Sequence, residues 1–421
     1  MTRRVVVTGL GVVAPGGTGT KDFWQLMESG RTATRLITFF DAGGFRSPIA
    51  GECDFDPAQS GLDAQEIRRM DRATQMLVAA TREALAGSGL ADTGIAPTRV
   101  GVAVGCATGQ ATSLEREYTV VSNGGRHWLV DHDYAVPHLY GHMAPSTVAA
   151  EVAWTAGAEG PVTLVSNGCT SGLDAVGHAA ALIREGAADV VVGGGTDAPV
   201  TPISVASFDA IRATSTRVDA PERASRPFDL HRDGFVLAEG AAALVLEELE
   251  HARGRGAHVY AEVTGYAAHS NGYHMTGLRP DGRELARSIT LALDRSRIAP
   301  DAVDYVNAHG SGTRQNDRHE TAAFKTALGR HARRVAISSI KSMIGHSMGA
   351  VGAIEAVACA LAIDRGVIPP TANLEHPDPE CDLDYVPGTA RQADVRTVLS
   401  VASGFGGFQT ALVLRAPGTR R

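Results

Sequence analysis

Lysine is almost missing from this 421-residue chain. Only Lys21, Lys325 and Lys341 stand among its 39 basic residues, a scarcity that coding bias also produces but that makes any lysine inside a motif worth noting. Basic excess is missing too: 46 acidic residues leave a net charge of −7, so no positive field exists to hold nucleic acid. No apolar run approaches the ~18 residues of a membrane-spanning helix. The start, MTRRVVVTGLGVV, lacks a small-residue cleavage pattern, and Pro15-Gly16-Gly17 argues against a secretory segment. The five cysteines (Cys53, Cys106, Cys169, Cys359, Cys381) are odd in number and contain no C-x-x-C pair. A reduced, cytoplasmic enzyme is therefore expected, with one cysteine a candidate nucleophile.

What is present is glycine, 48 residues, with no Gly-X-Y period and with 44% hydrophobic residues around it, which excludes collagen-like and disordered chains. Length alone suggests about three compact units. Strand-like and helix-like runs alternate, the pattern of an α/β fold. Strands are expected at 3–8, 98–105, 161–166, 188–194, 242–247, 259–265, 303–308, 334–339 and 398–403. Helices are expected at 70–87, 170–185, 283–297, 317–329 and 348–364. A faint duplication runs through these elements: helix, turn and strand at 70–105 parallel those at 283–308. Strand, turn, helix and strand at 161–194 parallel 334–367. The chain thus reads as two related halves, 1–255 and 256–421, with the extra length in the first.

Four segments carry candidate chemistry. In VSNGCTSGLDAVG a strand ends, a glycine turn follows, and Cys169 opens a helix. The helix dipole and free N–H groups there favour a thiolate, lowering its pKa from about 8.5, and the same groups can hold an oxyanion. A small buried cysteine at a helix–sheet junction is the ordinary alternative. In VDYVNAHGSGTRQNDRHE, His309 follows a strand's C-terminal end, where open α/β sheets bind ligands, with Ser311 and Thr313 beside it. A histidine satisfied within a turn fits equally. SSIKSMIGHSMGAVG places Lys341 and His346 at another strand end, where a neutral imidazole can donate a hydrogen bond. SGFGGF, with Gly404, Phe405 and Gly406, can offer backbone N–H groups to an anion.

Three other patterns compete. Gly9-x-Gly11-x-x-Ala14 mimics a dinucleotide fingerprint, but Pro15-Gly16-Gly17 prevents the helix that motif needs. Gly345-His346-Ser347-Met348-Gly349 matches the elbow of serine hydrolases and thioesterases, with Asp364 and His376 following in the required order; this is the main rival function. His127, His132, His138 and His142 crowd one segment with Asp131 and Asp133, but their spacing matches no common metal pattern, so no metal site is expected and an interface or surface loop is.

With these residues in view the chain resembles the thiolase-fold β-ketoacyl synthases, and more narrowly the ketosynthase-alpha subunits of bacterial type II aromatic polyketide synthases. The resemblance runs end to end and rests on GCTSGLD (168–174), SRPFDLHRDGFVLAEGAA (225–242), NAHGSGTRQNDRHETAA (307–323), SSIKSMIGHSMGA (338–350), PPTANLEHPDPECDLDYVP (369–387) and SGFGGFQ (403–409). It implies an α/β thiolase-like fold in α-β-α-β-α layers and a decarboxylating Claisen condensation. Cys169 would carry the acyl chain, while His309 and His346 donate to the malonyl thioester carbonyl. The N–H groups of Cys169 and Phe405 would form the oxyanion hole, with Phe405 also gating between Gly404 and Gly406. Lys341 would orient the histidines, paired with Glu320; Asp317 would support them; Ser311 and Thr313 would hold the pantetheine arm. No cofactor would bind the enzyme itself, since substrates ride on an acyl carrier protein's phosphopantetheine. Partners would be that carrier, met by an arginine-bearing patch, and a chain-length factor in a heterodimer. Cys169 counts against a third class, the non-catalytic partner subunit. Asn167 departs from the threonine expected beside the nucleophile.

Overall fold

The computed structural model describes residues 3–90, 94–127 and 131–418. Ten strands form one hydrogen-bonded path: β1 (Val5–Ala14), β2 (Val100–Gly105), β3 (Val162–Val165), β4 (Val190–Asp197), β5 (Gly240–Glu248), β6 (Ala261–Ser270), β7 (Tyr305–Asn307), β8 (Ala336–Ser338), β9 (Thr397–Gly404) and β10 (Phe408–Arg415). Their spatial order is 8-7-9-10-6-1-5-4-2-3. Read from each outer edge inward, both sets of five follow the same plan. The second, third and fourth strands in sequence are parallel, and the fifth and first are antiparallel additions. Among the described residues the two sets pair where Val5–Val7 of β1 meet Ala261–Val263 of β6.

Alternation of side chains along these strands builds three apolar layers. Helix α1 (Arg72–Ser88) covers one outer face, burying Met76, Leu77 and Ala80 against Val102, Val104 and Val245. Helices α3 (Arg283–Ser296) and α4 (Arg314–Leu328) cover the other, with Ile289 and Phe324 against Leu399 and Val413. Between the two half-sheets lie α2 (Ser171–Arg184) and α5 (Val351–Arg365), whose Leu173, Val176, Ile354 and Val357 meet Leu244, Leu246, Leu412 and Leu414. This is the expected α-β-α-β-α layering. The central helices have small residues where they touch: a Cβ on Gly352 would sit 2.7 Å from the Leu173 nitrogen. Helix α5, VGAIEAVACALAIDR, is buried from Val351 to Ala362, so it is apolar on every side except at Glu355.

The expected helices agree with the structure to within three residues at each end. Helices at Thr20–Ser29, Ala111–Val121 and Ser146–Ala156 were not foreseen. Neither was β10, which closes a hairpin with β9 through Phe405–Gly407. The strand expected near 367 is corrected: Val367–Ile368 pairs only with Arg391–Gln392, outside the main sheet, and the counterpart of β4 is β9. Gly9 and Gly11 lie inside β1, not in a phosphate loop. A Cβ at either would come within 2.1 Å of a carbonyl of α1, so glycine here admits the helix. Among the described residues no helix is long and apolar enough to cross a membrane.

Candidate active site

Repetition of the strand order brings equivalent crossovers together. The turn after the third strand of the first set carries Cys169, and the turn after the third strand of the second set carries Lys341 and His346. Strand β7 delivers His309, and the β9–β10 hairpin delivers Phe405. All but Lys341 line one cavity of about 520 Å³, with Met348, Ser311 and Thr313 also in its wall.

Cys169 sits in a single 3-10 turn, Gly168–Thr170, that runs directly into α2. Gly168 adopts φ 58°, and a Cβ there would lie 3.3 Å from the Phe405 carbonyl, so turn and hairpin are in contact. The Phe405 backbone N–H faces the Cys169 sulfur and favours its thiolate. Of the neighbouring N–H groups in SGFGGF, that of Gly406 donates to Met275 O (2.6 Å) and that of Gly407 to Gly404 O (3.1 Å), so both are committed elsewhere. The expected low thiol pKa is not found. Burial pushes the Cys169 thiol up to about 11, and the Phe405 N–H and the charge of Lys341 only partly oppose it.

His346 is 3% exposed, and its Nδ1 accepts the Met348 N–H at 3.1 Å, which leaves the proton on Nε2. Met348 reaches that position with φ 48°, a left-handed conformation that costs a residue with a Cβ about 1–3 kcal/mol. His309 stands nearly perpendicular to His346, ring centres 5.2 Å apart. Burial drives both imidazoles well below their ordinary pKa, and the Lys341 charge pushes the same way, so both are neutral.

The carboxylates are distributed differently from expectation. Lys341, fully buried, pairs with Glu355 of α5 and not with Glu320. Glu320 instead accepts the backbone N–H groups of His309 (2.5 Å) and Gly310 (2.8 Å), clamping the loop behind the imidazole. Burial pushes the Glu320 carboxyl up to about 8 and that of Glu355 up to about 7. Glu355 was missed, although a lone acid inside an otherwise apolar helix was a visible signal. Asp317 lies behind the wall, paired with the fully buried Arg232 (3.0 Å) and accepting the Phe228 N–H (2.8 Å). Ser311 and Thr313 share a hydrogen bond of 3.1 Å, and Thr313 also caps α4.

The hydrolase triad does not assemble. Ser347 Oγ is buried without a hydrogen-bond partner and lies outside the cavity wall. Asp364 pairs with His258 (3.1 Å), and His376 packs edge-on against His231. The elbow also fails locally, because a helical turn (Lys341–Ile344) intervenes between β8 and the serine. Of the histidine-rich segment, His142 is buried beside Gln110 (3.4 Å), while His132 is exposed next to Asp133. Residues 128–130 of that segment lie outside the described residues.

Comparison with known proteins shows the family. The model for the β-ketoacyl synthase N-terminal domain matches residues 2–252, and that for the C-terminal domain matches 260–375. The tetracenomycin polyketide synthase ketoacyl synthase alpha subunit of Streptomyces glaucescens is 63% identical over 415 residues, 99% of this chain and 97% of that one. Among solved structures, a type II polyketide synthase ketosynthase bound to the hexaketide, in complex with its acyl-carrier protein, superposes with a TM-score of 0.92 at 39% identity, covering 99% of this chain and all of that one. The ishigamide ketosynthase/chain length factor gives 0.91 at 35%, with the same coverage. The chain belongs to the β-ketoacyl synthase family, and within it to the ketosynthase alpha subunits of type II polyketide synthases.

Proposed function

We propose that this ketosynthase extends a polyketide chain through the roles below, and the observation that carries the reading is one cavity holding a buried thiol, an N–H donor aimed at it, and two neutral imidazoles. In the first half-reaction the Cys169 sulfur attacks the thioester of an acyl carrier protein. The acyl carbon–sulfur bond to the carrier breaks, a new one forms to Cys169, and the thiol proton leaves with the carrier sulfur. The N–H groups of Cys169 and Phe405 receive the negative charge that develops on the acyl oxygen. Phe405, at a hairpin turn, is suited to move aside between half-reactions.

In the second half-reaction malonyl carrier protein enters. The Nε2–H of His346, fixed by Met348, and His309 donate to its thioester carbonyl. The carboxylate leaves as CO2, and its electron pair becomes the enolate that these donors stabilise. The enolate carbon attacks the Cys169 thioester, the sulfur leaves with its electrons, and one proton taken from solvent restores the thiol. Neutral imidazoles suit this work, because they donate without a charge that must be neutralised afterwards. Lys341 sets the local potential from behind, and Ser311 and Thr313 are placed to meet the pantetheine amides.

The same reading divides the chain near residue 255, with 1–255 supplying the nucleophile and 256–421 the histidines. It places the protein in the cytoplasm, with a chain-length factor as heterodimer partner and substrates borne on the carrier's phosphopantetheine, with no cofactor of the enzyme's own. Arg212 and Arg314, exposed at the cavity wall, are the proposed contacts for the acidic carrier. The test is Cys169→Ala: chain transfer stops while malonyl decarboxylation persists, and His309→Ala or His346→Ala loses decarboxylation. Full acyl transfer by Cys169→Ala would refute the assignment.

A further inference from the structure

Asn167 is the residue in the nucleophile motif that the functional reading leaves unused. Its side-chain amide donates to Asp174 Oδ2 at 2.9 Å. The Thr170 hydroxyl donates to the same oxygen at 2.8 Å. The other oxygen, Oδ1, accepts the Tyr266 hydroxyl at 3.0 Å and the Thr410 hydroxyl at 2.6 Å. Asp174, 3% exposed and one turn into α2, therefore takes four donors from three separate elements. Two belong to the Cys169 turn, one to β6 and one to β10.

The placement of these ends matters. Asn167 and Thr170 bracket Gly168 and Cys169, and the Asn167 carbonyl accepts the Thr170 N–H at 3.4 Å. Thr410 pairs with Ala402 in β9, two residues from the Gly404–Phe408 pair that closes the hairpin carrying Phe405. A Cβ on Gly404 would lie 3.3 Å from the Cys169 nitrogen and 3.2 Å from Asn167 O, so the hairpin and the turn touch at this seam. One carboxylate thus binds both sides of the seam across which the two oxyanion donors face each other.

We propose that Asp174 is a positioning residue that fixes the spacing between the Cys169 and Phe405 N–H groups, acting through Asn167 and Thr170 on one side and Thr410 and Tyr266 on the other. The inference rests on the proposed function, because the spacing matters only if an oxyanion forms there. Asp174 touches no reacting atom. Its effect falls on acyl transfer to Cys169 and not on malonyl decarboxylation, whose charge is received by His309 and His346.

That selectivity is the test. Asp174→Ala would leave four donors unmatched and endanger the fold, so the outer ends of the network carry the experiment: Thr410→Val, which keeps shape, and Asn167→Ala. Each variant is assayed for single-turnover acyl transfer from an acyl carrier thioester, read as adduct mass, and separately for CO2 release from malonyl carrier protein. Both should slow acyl transfer about tenfold more than decarboxylation, a fraction of the 10²–10³ lost when an oxyanion donor is removed outright. Thr410→Ser, which restores the hydroxyl, should recover acyl transfer. Equal loss of both reactions, or loss of neither, overturns the inference. A wild-type protein that accepts no acyl group at all would instead sink the functional reading on which it rests.

Discussion

Alkylation of Cys169 by iodoacetamide across a pH series asks which of two opposed effects governs the nucleophile. A cysteine opening a helix is expected to ionise easily, through the dipole and the free N–H groups. In this structure the thiol is 5% exposed, and burial moves it from 9.0 up to about 11 despite the Phe405 N–H and Lys341. That is a cost of about 2.7 kcal/mol for making the thiolate, at 1.36 kcal/mol per pKa unit. At pH 8 only about one molecule in a thousand then carries the thiolate, and the fraction grows tenfold with each unit of pH. The logarithm of the alkylation rate, followed by peptide mass, should therefore climb with unit slope to about pH 10 without levelling. Cys169 should also be labelled first, since it is the cysteine in the cavity wall and burial raises the other four thiols too, Cys381 to about 12. A plateau with a midpoint at or below about 8.5 would refute the reasoning, because the helix start would then outweigh burial.

Three further outcomes are expected. Glu355→Gln leaves the buried Lys341 ammonium without its partner, and the denaturant midpoint should report a loss of about 3–5 kcal/mol. Arg212→Glu with Arg314→Glu should raise KM for the carrier protein severalfold at low salt, with the effect fading as ionic strength rises. The histidines give a pH dependence of stability. His309 and His346 are depressed in the folded state, so the unfolded chain binds more protons as pH falls below about 6.5. Their contribution is complete above that pH and declines below it by up to about 1.4 kcal/mol per unit for each imidazole. Glu320, raised to about 8, acts in the opposite sense, its contribution lost as pH climbs from the ordinary carboxyl value through 8. Denaturant midpoints of the wild type and of His309→Asn/His346→Asn should diverge below pH 6.5 and run parallel above it.

The parts of the site visible in the sequence were those encoded within one stretch of chain. Cys169 and His309 follow a strand within four residues and His346 within eight, after one helical turn, and their glycines mark the turns, so local pattern was enough to find them. What escaped was set by packing between distant segments. The partner of Lys341 is Glu355, fourteen residues on and one helix away, whereas Glu320 lies nearer to His309 in sequence and serves its backbone. The thiol's pKa was misjudged because a sequence displays the helix start but not the layers of side chain that bury it. Ser347 looked like a hydrolase nucleophile because its glycines are spaced correctly. Only the folded chain shows what Gly349 serves instead, a close approach of backbones: a Cβ there would meet the Ala107 nitrogen and Asp197 Oδ2 at 2.6 Å. The hairpin strand β10 went unread because the run FGGF looks like an ending, while its two left-handed glycines, Gly406 and Gly407, are what reverse the chain.

The central claim, that Cys169 carries the growing chain, is tested most directly by peptide mass mapping after the protein has been incubated with an acyl carrier thioester and no malonyl substrate. The account predicts one acyl group per chain, on the peptide containing Cys169, removed when malonyl carrier protein is then added. An acyl group on Ser347, or none on Cys169 under conditions where the carrier thioester is consumed, would contradict it.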